Sequence, residues 1–93
     1  MIKRISMWKL ADPACAEEMK GKLLSMKNTV DSLQEIEVGI NESQHESAYD
    51  IVFIGTFSDE NAFQRFENDE YHKEIGSFVS SVRLDRKVVE FEC

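Results

Sequence analysis

Between Tyr49 and Phe57 the chain is apolar at both strand periods. Tyr49, Ile51, Phe53 and Phe57 fall on one side of an extended segment, Val52 and Ile54 on the other, so both faces of this strand need shielding from water. A chain of 93 residues has too few helices to cover both faces of a sheet. One face is expected to pack against the chain's own helices and the other against a second copy, which predicts a homodimer formed through the sheet face.

Residues 2–10 alternate in the same manner, Ile2, Arg4, Ser6, Trp8 and Leu10 opposing Lys3, Ile5, Met7 and Lys9. Asp12 stands where a helix cap belongs and Pro13 at the first helical position; Cys15, Met19, Leu23, Met26 and Val30 then draw one buried stripe at helical spacing. Residues 34–41 read as a half-exposed strand with Ile36, Val38 and Ile40 inward, and the polar residues 42–48 as a loop returning into residues 49–57. Ser58 is the expected cap of the next helix, with Asp59 and Glu60 in its first turn and Ala62, Phe63 and Phe66 facing inward. Asn68-Asp69 marks a break, after which Tyr71, Ile75, Phe78, Val79 and Val82 recur at 3.6-residue spacing. Residues 86–92 form the last strand, whose terminal position suits it to reach toward a partner. The order strand, helix, strand, strand, helix pair, strand predicts an α+β chain, ferredoxin-like βαββαβ, with an antiparallel four-stranded sheet in a single domain over residues 1–93.

The formal net charge of −7, with basic residues scattered singly or in pairs, argues against a nucleic-acid partner. No apolar run nears the ~20 residues a bilayer requires. Lys9 and Asp12 interrupt any signal-like segment, and Cys15 and Cys93 make neither a metal spacing nor a redox pair, so a reducing cytoplasmic setting is expected. No cofactor is expected, since there is no Gly-rich phosphate loop. His45 with Glu42 and Glu46 lacks a fixed geometry, so no metal site is expected either. Ser6, Ser77, Ser80 and Ser81 have no base at a recognisable spacing, which leaves nucleophilic catalysis unsupported.

Four pieces taken in order resemble the stress-responsive A/B barrel domain family, within the dimeric α+β barrel superfamily. They are residues 2–10 (IKRISMWKL), Glu37-Val38-Gly39, residues 49–57 followed by Ser58-Asp59-Glu60, and residues 66–72. The resemblance implies a dimeric barrel made of two facing sheets, with a pocket in each subunit between the sheet and its own helices. It also implies two kinds of relative: stress proteins without a clear activity, and a polyketide cyclase. The cyclase-type site pairs a helix histidine with a tyrosine six residues earlier and a first-strand histidine. His72 matches the first of these, whereas Phe66 stands at the tyrosine position, Arg4 at the first-strand position and Ile51 at a further pocket histidine.

Two readings stand beside each candidate. His72, on the margin of its helix stripe, is either a general acid or base or a helix-start histidine bonded to backbone or solvent. Arg4 shares with Trp8 the strand face that the family resemblance aims at the helices, and either orients an anion or steadies developing negative charge, or snorkels to a surface Glu. Gly76 leaves room for a ligand or lets helix and sheet approach closely; Trp8 is a pocket wall or plain core. Family geometry sets Trp8, Ile51, Phe53, Phe66 and His72 around one cavity, with Ser6, Ile75 and Gly76 as further lining. The leading expectation is a homodimeric module with a pocket for a small apolar or anionic molecule. The alternative is a small cofactor-independent, cyclase- or lyase-like enzyme using His72 as acid or base.

Overall fold

The computed structural model describes residues 1–93, as nine-residue β1 (Ile2–Leu10), α1 (Ala16–Leu24), β2 (Glu35–Ile40), β3 (Ile51–Phe57), α2 (Glu60–Glu67), α3 (Glu70–Val82) and β4 (Arg83–Glu92). The four strands make one antiparallel sheet in the order β2-β3-β1-β4, the ferredoxin-like arrangement predicted from the element order. Helices cover one face. Ser6, Trp8 and Leu10 of β1 and Ile51, Phe53 and Phe57 of β3 are buried on that side with Met19, Leu23, Met26, Val30, Phe63 and Phe66. The stripe anticipated from residue 15 to residue 30 is therefore one buried line from Met19 to Val30, with Cys15 only half-buried at its start, although it runs through two short 3₁₀ turns flanking α1.

Local chemistry explains where elements begin. The Asp12 carboxylate accepts from the Ala14 N–H at 3.0 Å and Pro13 opens the first turn. For α2 the cap is Asp59 rather than Ser58, accepting from the Ala62 N–H at 2.8 Å, so the helix starts one residue later than expected. Asp69 caps α3 by accepting from the N–H groups of Tyr71 and His72 at 2.8 and 3.1 Å. The break at Asn68-Asp69 is thus a helix start.

Two strand limits also differ from the periodic reading. β3 begins at Ile51 rather than Tyr49, because the Asp50 carboxylate accepts from the Leu10 N–H at 2.7 Å and Tyr49 leaves the sheet to donate its hydroxyl to Asp85. β4 begins at Arg83, three residues before the predicted start at Arg86. The Val82 carbonyl is already taken by the Ala11 N–H at 2.9 Å and Arg83 is extended, so the chain passes from helix to strand with no loop.

The opposite face of the sheet carries no helix. Ile5 sits opposite both Ile54 and Val89, and Met7 opposite Val52, which places an apolar row across three strands. Met7, Val89 and Phe91 are exposed there.

Candidate functional site

The period of two in β1 presents Arg4, Ser6 and Trp8 to the helices, and the β1–β4 register sets Glu90, Val88 and Arg86 respectively beside them. Above this pair of strands the end of α2 supplies Phe66 and Glu67, and α3 supplies His72, Ile75, Gly76 and Val79. These groups line a cavity of about 460 Å³, completed by Phe53 below, Leu23 in the last turn of α1 and Met26 just beyond that helix. Of the anticipated residues, Arg4, Ser6, Trp8, Phe53, Phe66, His72, Ile75 and Gly76 lie on it. Ile51 does not. It is buried at 2 % exposure and lines a separate hollow of about 260 Å³ with Met7 and Val52. The strand order explains this: the cavity lies over β1 and β4, and of β3 only Phe53 reaches it.

Aromatic packing holds the floor and one wall. Trp8 meets Phe53 edge-on with centroids 6.5 Å apart, Phe53 stacks on Phe66 at 6.4 Å, and Phe66 stacks on His72 at 3.9 Å. Trp8 is therefore both core and wall. Its Nε1 and the Nδ1 of His72 are buried and have no hydrogen-bond partner in the protein, an uncommon state for such atoms. Burial holds the His72 pKa below the usual histidine value. Glu67, the Phe66 backbone and Asp69 pull it up and Arg4 pulls it down, but no well-formed hydrogen bond reaches Nδ1. The imidazole is consequently neutral around pH 7 and able to accept a proton.

Arg4 is held on both sides. Its Nη1 lies 2.6 Å from Glu67 and its Nη2 3.1 Å from Glu90, while the guanidinium covers the Phe63 ring at 4.4 Å. Its charge is compensated by two surface-reaching carboxylates.

Gly76 takes up only one of its two expected roles. A Cβ built there would meet nothing within 4 Å, so it leaves space in the cavity. The close approach belongs to Gly55, where a Cβ would come within 2.8 Å of the Phe53 ring. His45 lies in the β2–β3 loop, its Nδ1 accepting from the Ser47 N–H at 3.0 Å.

Sequence reasoning missed Arg83, Arg86 and Glu67, all on the cavity. A signal existed for one of them, since Arg86, Val88 and Glu90 alternate onto the face of β4 beside Arg4, Ser6 and Trp8. Arg86 is exposed to solvent; partial desolvation lowers its pKa first, and the charges of Arg4 and Arg83 lower it further, against an opposing effect of Glu67.

The family model for the stress responsive A/B barrel domain matches residues 2–93. The chain belongs to that family. Solved structures agree on the fold of this family member. A dimeric ferredoxin-like protein of unknown function from Thermobifida fusca superposes with a TM-score of 0.88 at 18 % identity, covering 99 % of this chain and 90 % of its own. A similar dimeric protein from Bacteroides fragilis gives 0.86 at 18 % identity, with 99 % and 95 % covered. The hydroxynitrile lyase of Passiflora edulis gives 0.83 at 10 % identity, with 97 % and 90 % covered. No curated protein matches the sequence. No helix is long and apolar enough to cross a membrane.

Proposed function

We propose that the protein is a homodimeric A/B barrel module that binds a small molecule in the cavity between its sheet and helices. The observation that carries this reading is the cavity itself. About 460 Å³ lies within the range of small-molecule sites, and its walls contain two buried polar atoms, Trp8 Nε1 and His72 Nδ1, that the protein leaves unpaired. Dimerisation is supported by the bare sheet face and by the dimeric relatives from Thermobifida fusca and Bacteroides fragilis. Charge supports it too. On that face β2 carries Glu35 and Glu37 on one side of the apolar row, while Lys3, Lys9 and Lys87 lie on β1 and β4, so a second copy can set acids against lysines. A reducing compartment fits the two free cysteines.

The test is a thermal-shift screen of small apolar and anionic molecules against the wild type and Gly76→Leu, whose side chain enters the cavity. Ligands that belong there raise the melting temperature of the wild type alone. If every ligand that shifts the wild type shifts Gly76→Leu equally, binding is elsewhere and the reading falls.

The neutral imidazole favours a second reading, cofactor-independent proton transfer by His72. A lyase among the structural neighbours is compatible with it. In that reading Arg4 is a positioning residue, since Glu67 and Glu90 already engage its charge. A compound turned over by the wild type and bound but not converted by His72→Ala would establish it. Conversion at the wild-type rate by that variant would exclude it.

A further inference from the structure

Three guanidiniums, those of Arg4, Arg83 and Arg86, line the cavity against the single carboxylate of Glu67. This happens in a chain of formal net charge −7, where acidic partners are plentiful. Yet the ion pairs of the molecule engage only Arg4 and Lys87, and no hydrogen bond from a side chain of Arg83 or Arg86 reaches a protein acceptor. Arg83 and Arg86 are exposed, so they line the cavity from its solvent side, where like charges still repel one another although water screens them in part. Arg86 also lies in register beside Trp8, which is 6 % exposed and whose Nε1 donor is equally without an acceptor. Phe53, Phe66, Ile75, Val79 and Met26 give the same cavity an apolar portion, beside the hydroxyls of Ser6 and Ser80. What the cavity leaves unmatched is two guanidiniums and one indole donor beside an apolar portion, which an anionic group and an oxygen acceptor on a hydrophobic body would satisfy.

Resting on the binding reading above, we infer that the ligand is an amphipathic organic anion. Its apolar ring or short chain packs on Phe53 and Ile75, its carboxylate or comparable head is held by Arg86 with Arg83, and an oxygen accepts from Trp8 Nε1. Arg4, the basic residue most prominent in the sequence, is not the anion receptor, because Glu67 and Glu90 occupy it at 2.6 and 3.1 Å. Guanidinium suits the task, since its planar fork matches a carboxylate and keeps its charge even where burial disfavours it.

Two fluorescent probes with the same apolar body test this: anilinonaphthalene sulfonate, which is an anion, and phenylnaphthylamine, which is uncharged. Each is titrated into wild type, Arg86→Gln, Arg83→Gln, Gly76→Leu and, as a control, Lys27→Gln, an exposed position that does not line the cavity, with thermal melts to verify folding. The wild type should bind the sulfonate about tenfold more tightly than the amine, and Arg86→Gln should erase most of that advantage while leaving the amine within about twofold. Arg83→Gln should act in the same direction, Lys27→Gln should change neither probe, and Gly76→Leu should abolish both. Equal wild-type affinities, or an Arg86→Gln variant that weakens both probes alike, would overturn the anion inference and leave the cavity reading in place. Retention of both probes by Gly76→Leu would instead remove the cavity as the binding site.

Discussion

The imidazole of His72 lies against the ring of Phe66, with centroids 3.9 Å apart and planes inclined by 27°. In cyclase-type relatives the position six residues before the histidine offers a tyrosine hydroxyl; here it offers a flat apolar face. The imidazole is thereby desolvated without gaining a hydrogen-bond partner at Nδ1, which favours its neutral form. A neutral base facing a cavity suits proton acceptance, and an unpaired nitrogen suits a ligand's hydroxyl. Neither requires the cyclase's residue set.

The first prediction concerns pH. Because burial lowers the His72 pKa in the folded state, the unfolded chain takes up this proton first, at about pH 6.5. Its contribution is fully present above that pH and is lost as pH falls through the lower folded value. Thermal melts at fixed protein concentration between about pH 7.5 and 5 should therefore show a steeper loss for wild type than for His72→Gln. Parallel pH profiles would show that the histidine is not desolvated.

Two glycines should respond oppositely to alanine. Gly76→Ala places its Cβ in open space within a helix and should stabilise by about 0.5–1 kcal/mol. Gly55→Ala brings a Cβ within 2.8 Å of Phe53, a ring wedged between Trp8 and Phe66, and should destabilise by about 1–3 kcal/mol. Urea unfolding measures both, and matching signs would show the cavity is not where Gly76 lies.

Ile5 sits at the centre of the apolar row, opposite Ile54 and Val89. Ile5→Glu should halve the mass seen by light scattering after gel filtration while leaving the circular dichroism of the protomer largely intact. A wild type that is already monomeric at micromolar concentration would defeat the proposed assembly.

Glu67→Gln removes one of the two carboxylates on Arg4. Arg4 and Glu67 keep 18 % and 36 % of their side-chain exposure, so solvent screens the pair and the cost should be modest, up to about 1 kcal/mol. The loss should shrink in about 1 M salt, where the Debye length falls to ~3 Å. A cost unaffected by salt would mean that packing of the Arg4 stem on Phe63, rather than charge, is what matters.

Much of the architecture was legible along the chain because it depends on neighbours in sequence. The period of two in residues 2–10 correctly put Trp8 and Met7 on opposite faces, the family resemblance aimed Trp8 at the helices, and the step of three and four from Met19 to Met26 correctly marked buried positions. Strand alternation and helical spacing are local geometry, so composition at each step reveals them. The carboxylate cap at Asp12 was equally local, whereas at Asn68-Asp69 only the break was read and not the cap, and at Ser58-Asp59 two capping residues stand side by side and only the backbone chose between them.

What tertiary structure alone decided is the relation between segments far apart in sequence. Arg4 meets Glu67 and Glu90 because α2 and β4 return over β1 from 63 and 86 residues away, and no local pattern specifies those distances. The same long-range register put Arg86 beside Trp8, drew Ile51 off the cavity and left Gly76 rather than Gly55 facing empty space. Sequence alone determined which residues must be buried and on which face of their own element they lie. The cavity's chemistry came from which faces were brought together, and that is set by the packing of the whole sheet against its helices.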